Sequence, residues 1–128
     1  MEGKLESVRL HIMSYLGGTD VRIWAEDGAL WGEKEEFGVR NEFMEKTALS
    51  VSPEEFGQKL EAIDIPGWKK SYEQEGFLVM DGTSWEVTYC REEEKDVKRS
   101  GENEYPKNWK AFIRLLKKTA GDFYSYGN

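Results

Sequence analysis

Two alternating runs, joined by a connection too short for anything but a hairpin, constrain this chain most. In residues 7–15, Val8, Leu10 and Ile12 point one way while Arg9, His11 and Met13 point the other. A period of two marks a strand with one buried face. Leu16-Gly17-Gly18-Thr19 reads as a turn, because glycine adopts positive φ without steric penalty. Residues 20–26 alternate again, with Val21 and Ile23 against Arg22 and Trp24, and Asp27-Gly28 is a strong hairpin signal. Hairpin-length connections dictate antiparallel pairing. A third short strand holds Leu30 and Trp31. The charged segment 32–42 reads as an exposed loop or loosely held strand, and 43–51 returns as a strand through Phe43, Thr47 and Leu49.

Helix signals follow. Ser52-Pro53-Glu54-Glu55 is a helix start, with Ser52 as cap, Pro53 at the first helical position and Glu55 completing a capping box. Phe56, Leu60 and Ile63 then share one narrow stripe, and Asp64-Ile65-Pro66-Gly67 stops the helix. Trp68 and Tyr72 are four apart, the spacing that puts two rings on one face of a helical turn. Phe77–Met80 reads as a short inner strand, and Asp81-Gly82 as a turn. Trp85, Val87 and Tyr89 share one strand face, with Glu86, Thr88 and Cys90 on the other. Residues 92–95 form a hairpin tip and 96–100 a return strand. Tyr105-Pro106 opens the last helix, whose Trp109, Phe112, Ile113 and Leu116 make the best amphipathic stripe in the chain. Gly121 ends it. The tail 122–128 frays unless its rings dock.

The expected architecture is α+β: an antiparallel β-sheet of about five to six strands with two helices packed on one face. A chain of 128 residues suits one domain, 1–128, with one core. Five Trp residues supply much of that core, since large rings bury much area each.

Chemistry is sparse. His11 is the only histidine and Cys90 the only cysteine, so an intramolecular disulfide is impossible and a zinc site of nitrogen and sulfur ligands has too few donors. No Ser- or Cys-centred motif accompanies His11. A hydrolytic role for it would require a cleft and a carboxylate or hydroxyl within about 3 Å. Cys90 shares a face with Glu86, and a nearby carboxylate raises a thiol pKa, the wrong direction for a nucleophile. No calcium loop or phosphate-binding glycine loop is present. No catalytic, metal or cofactor residues are therefore assigned. The candidate ligand-binding residues are Trp68, Tyr72, Trp85, Asn103 and Tyr105, polar-tipped rings and an amide that converge beside the last helix.

The net charge of −7 repels phosphate backbones, which argues against nucleic acid and for a basic partner. No apolar run approaches the ~20 residues of a membrane helix. The N-terminus lacks a signal-peptide pattern, so the expected setting is cytoplasmic. Trp68-x-x-x-Tyr72, Asp81-Gly82-x-x-Trp85-Glu86-Val87 and Gly101-x-Asn103-x-Tyr105-Pro106-x-Asn108-Trp109 resemble small uncharacterised proteins of Firmicutes and related bacteria. That resemblance implies a bacterial α+β protein and carries no activity and no catalytic residues. The leading functional expectation is a non-enzymatic protein-interaction module, of the immunity type that neutralises a basic toxin, or one that self-associates. The alternative is a small-molecule binding domain at the Trp68, Trp85 and Tyr105 cluster.

Overall fold

The computed structural model describes residues 4–73 and 82–126. The strand expected at Phe77–Met80 and the Asp81 half of the following turn lie outside these residues. Seven strands form one sheet: β1 (Leu5–Ser14), β2 (Gly17–Glu26), β3 (Ala29–Phe37), β4 (Glu42–Ala48), β5 (Ser71–Glu73), β6 (Ser84–Arg91) and β7 (Val97–Glu102). Their order is β4-β3-β2-β1-β6-β7-β5. Two helices, α1 (Pro53–Ile63) and α2 (Trp109–Ala120), complete the fold. The α+β class and the two helices stand as expected. Among the described residues the strand count rises to seven, and the sheet is mixed, because β5 runs parallel to β7 while the other pairings are antiparallel.

Local chemistry accounts for most elements. Asp27 and Gly28 both take positive φ, the pair of conformations that a tight hairpin turn needs. The β1–β2 turn is Tyr15-Leu16 rather than the two glycines, which instead begin β2. Their role there is steric. A Cβ on Gly18 would meet Met13 Sδ at 2.7 Å and Phe37 Cζ at 2.8 Å, so these two side chains meet over a bare backbone. Ser52 Oγ accepts a hydrogen bond from Glu55 N at 3.1 Å and caps α1, while the Glu55 carboxylate lies 3.7 Å from Lys59. Asp64 in the left-handed region ends that helix. Trp68 and Tyr72 do not share a helical turn. Trp68 follows a 3-10 turn in extended conformation and Tyr72 belongs to β5, because Pro66-Gly67 breaks the helix before them. Likewise α2 begins at Trp109, and Pro106 stands in the preceding turn, where its carbonyl accepts from Trp109 N at 3.1 Å.

Of the two readings of the charged segment after Leu30, exposed loop or loosely held strand, the strand holds up to Phe37. The sequence leaves the two open because both faces of the segment are polar. Glu33 and Glu35 face outward, while Lys34 and Glu36 face the C-terminal tail. Lys34 Nζ donates to Asp122 O at 2.7 Å, and Glu36 Oε1 accepts from Tyr124 N at 2.7 Å. The tail consequently docks through its rings: Phe123 and Tyr126 are buried, and Thr19 Oγ1 donates to Tyr124 O at 2.7 Å.

One core lies between the sheet and the helices. Val8, Leu10, Ile12, Val21, Ile23, Leu30, Trp85, Val87 and Tyr89 pack against Phe56, Leu60 and Ile63 of α1 and Trp109, Phe112 and Leu116 of α2. All of these are burials on a single side of the sheet. Among the described residues no helix is long and apolar enough to cross a membrane.

Candidate functional site

The five residues singled out from sequence come together. Trp85 lies at ring-centroid distances of 5.9 Å from Trp68, 6.0 Å from Tyr72 and 4.5 Å from Trp109, and Tyr105 lies 5.2 Å from Trp109. Their polar tips are engaged in structural bonds. Trp85 Nε1 donates to Glu104 O at 2.9 Å, and Trp68 Nε1 donates to Asn108 Oδ1 at 2.8 Å. Asn108 in turn donates to Ile63 O, tying α2 to the end of α1. Asn103, at φ 57°, accepts from Thr83 N at 2.9 Å and donates its own backbone N–H to Thr83 O at 2.9 Å. The Tyr72 hydroxyl accepts from Lys69 N at 3.0 Å. Burial raises the Tyr105 phenol above its usual range, a hydrogen bond with Thr83 opposing it. Rings from α2 thus fill the space beside Trp68 and Trp85. In this sheet the Gly-x-Asn-x-Tyr-Pro-x-Asn-Trp sequence is a set of staples between β6, β7 and the helices.

The other side of the sheet is arranged differently. Side chains alternate along each strand, so the residues not facing the helices form rows that run across the strands. The pairing register orders these rows. Trp31, Trp24, Ser7 and Cys90 form an aromatic row. Next comes a basic row of Glu33, Arg22, Arg9, Thr88 and Lys98, then an acidic row of Phe43, Glu35, Asp20, His11, Glu86 and Ser100. Phe37, Gly18, Met13, Ser84 and Glu102 make a final row with an apolar end. Neither α1, α2 nor the tail packs on this face.

Its centre is an ion-pair cluster. Arg9 holds Asp20 through two bonds, Nε at 2.9 Å and Nη2 at 2.5 Å, and His11 Nδ1 lies 3.3 Å from the same carboxylate. Shallow cavities flank the cluster: about 230 Å³ lined by Arg9, His11, Glu86 and Thr88, and about 420 Å³ lined in part by Asp20, Arg22, Glu35 and Phe43. Arg22 stacks 4.4 Å over the Trp24 ring and pairs with Glu33 at 3.8 Å. Glu35, Glu86 and Glu102 make no ion pair within 4 Å among the described residues. The histidine therefore has a carboxylate partner, but that carboxylate is already bound bidentately by Arg9, and the thiol on this face is passive. Burial raises the Cys90 pKa, with Asp96 adding to the rise and Ser7 opposing it. No group of His, Cys, Asp and Glu suited to a metal occurs among the described residues.

Asp20 has a measurable signature. Partial burial raises its carboxyl, but the hydrogen bond and charge of Arg9, with His11 adding to them, outweigh burial and hold it below the usual range. A depressed folded-state pKa stabilises the fold above the unfolded value, about 3.9, and that stabilisation is lost as pH falls through the folded value. In urea titrations, Asp20→Asn should therefore be less stable than the parent at pH 7, with the gap closing below about pH 4. A gap independent of pH would show that the pair with Arg9 contributes nothing through charge.

Compared with known proteins, the chain matches no family model, no curated protein and no solved structure.

Proposed function

We propose that this chain is a protein-interaction module whose docking surface is the helix-free face of the sheet. The observation that carries the reading is one-sidedness. Both helices and the tail pack on one side of seven strands, and the opposite side presents ordered rows of charged and aromatic groups. A solvated antiparallel face needs only scattered polar residues. This one adds Met13, Phe37 and Phe43, all among the exposed large apolar side chains of the chain, and exposed apolar groups rimmed by charge characterise interaction surfaces. Glu35, Glu86 and Glu102, which make no ion pair within 4 Å among the described residues, together with a net charge of −7, favour a basic partner. A toxin neutralised by an acidic immunity-type protein belongs to that class.

The sheet edges are poor alternatives. β4 is a bulged edge strand with charged residues at Glu42, Glu45 and Lys46, and β5 has three residues. Short, bulged and charged edges discourage strand addition. The test is site-specific photo-crosslinking in cells, with the reactive group at Ser84 on the open face or at Lys110 on the outer side of α2. Adducts to one basic protein from Ser84 alone, decreasing with salt, are expected. Adducts from Lys110 with none from Ser84 would place docking on the helices and refute the reading.

A further inference from the structure

We propose that the crevice between α1 and the nearby end of the sheet binds a small aliphatic diamine or polyamine. The crevice lies on the helix side and is independent of the docking reading of the open face. Its volume is about 400 Å³, within the range of small-ligand sites. Pro53, Glu54, Gly57 and Gln58 of α1 form one wall. The β2–β3 turn, Glu26-Asp27-Gly28, forms a second, and Lys4, Leu5 and Glu92 form a third. A hydrogen bond from Glu92 N to Lys4 O at 2.8 Å ties the two segments of that third wall together.

Gly57 is the first observation. It stands in the interior of α1, where glycine weakens a helix relative to alanine. Packing does not demand it. Apart from the helix's own backbone, a Cβ there would meet only Leu5 Cβ, at 3.7 Å, an ordinary contact. Its φ does not demand it either, since Gly57 is not among the positive-φ residues. What the glycine does is leave space above Leu5, and that space is part of the crevice. The second observation is charge complementarity. Leu5, Ala25 and Pro53 give the lining its apolar part, and Glu26, Asp27, Glu54, Glu61 and Glu92 stand around them. Lys4 is the one cationic side chain among the described residues of the lining. Glu26 is already engaged, by Lys46 at 2.7 Å and by the Trp24 indole at 3.3 Å. Glu54 offsets the positive end of the α1 dipole. Asp27, Glu54 and Glu92 make no ion pair within 4 Å among the described residues, and each belongs to a different wall. Carboxylates alone would be a solvated rim; the uncovered apolar surface between them makes a site. A point cation satisfies one wall and leaves that surface bare. A methylene chain with an ammonium group at each end covers Leu5 and Ala25 and reaches carboxylates on two or three walls. An anion is repelled from every side.

The test is calorimetric titration of the full chain with cadaverine and with spermidine at neutral pH and low salt, beside pentanediol as the uncharged counterpart. Both amines should bind, spermidine more tightly, and the diol should not; added salt should weaken the amines. Amide NMR shifts locate the site: Asp27, Gly28 and Gly57 should move, and His11 and Glu86 on the open face should not. Gly57→Leu fills the space above Leu5 and should weaken amine binding tenfold or more. Asp27→Asn with Glu92→Gln should weaken it severalfold, and Asn tolerates the left-handed conformation of residue 27. Folding of each variant is checked by circular dichroism. If Gly57→Leu does not fold, Gly57→Ala replaces it; this change favours the helix and should still weaken binding severalfold. Absence of binding by either amine, equal binding of the diol, shifts confined to the open face, or a folded Gly57 variant that binds like the parent would overturn the proposal. None of these results bears on Ser84 crosslinking, so the docking reading stands or falls separately.

Discussion

Replacing Glu36 with Ala is expected to destabilise the fold by about 2–4 kcal/mol, an effect unusual for a charged residue in a charge-rich segment. Its side chain is only 2% exposed. One oxygen accepts from Tyr124 N at 2.7 Å and the other lies 2.9 Å from Arg40 Nη2. Truncation leaves a backbone N–H without its acceptor and removes the carboxylate that anchors Arg40. Arg40 keeps Asp122 at 3.3 Å and Glu42 at 3.8 Å, both more exposed, so its loss is partial and the effect falls below that of a stranded buried charge. The tail should loosen first, because Phe123 and Tyr126 are held by the same neighbourhood. Urea unfolding would give the magnitude, and amide exchange at Tyr124 the location. Glu36→Gln keeps an acceptor for Tyr124 and should lose less. Equal losses from both variants would mean that the charge pair with Arg40, and not the tail hydrogen bond, is what Glu36 contributes.

Glu36 also shows where sequence reading stops. Periodicity detects a strand by contrast between its faces, and β1, β2 and β6 have that contrast: Val8, Leu10 and Ile12 against Arg9 and His11, or Trp85 and Val87 against Glu86 and Thr88. The second half of β3 has none, since the tail that covers its inner face meets it through hydrogen bonds to Lys34 and Glu36. β5 is too short to have a period, and its parallel pairing with β7 depends on contacts distant in sequence. The helix stripes were fully legible, because Phe56, Leu60 and Ile63, and Trp109, Phe112 and Leu116, bury as their spacing dictates.

The aromatic cluster was legible as a cluster but not as a role. Ring spacing announces that Trp68, Trp85 and Tyr105 gather near α2; only the positions of Glu104 O and Asn108 Oδ1 show that their donors are satisfied internally. The open face was hidden by a register. With the turn placed at Gly17-Gly18, His11 would stand opposite Trp24. With the turn at Tyr15-Leu16, it stands opposite Asp20, and Arg9 opposite Arg22. Moving a hairpin turn by two residues keeps every side chain on its face but changes every cross-strand neighbour. Arg9, Asp20 and Glu86 became candidates only once both registers of β1 were known.

The largest single effect belongs to Trp85. Trp85→Ala should cost about 3–5 kcal/mol, a large share of the ~5–15 kcal/mol that holds a domain of this size. The ring is 1% exposed and stands at the meeting point of β6, β7, the 3-10 turn and α2. Its removal leaves a cavity that Trp68 and Trp109 cannot close without leaving Asn108 and the helix stripe. Gly101 provides the diagnostic. It pairs with Trp85 across β6 and β7, and a Cβ there would run into the indole. Gly101→Ala should therefore be destabilising in the parent chain and less so once residue 85 is Ala, because the colliding ring is gone while the Glu104 carbonyl, 2.8 Å from such a Cβ, remains. The two substitutions should be strongly non-additive in urea unfolding, with a coupling in the 0.5–3 kcal/mol range typical of residues in contact. Simple additivity would mean that Gly101 is required by its backbone rather than by the ring. Trp85→Phe retains most of the apolar surface but loses the bond to Glu104 O, and should fall between parent and Ala. All three changes lie on the helix side of the sheet. If the open face is the docking surface, Gly101→Ala in a chain that still folds should leave docking intact, separating the residues that build the sheet from those that use it.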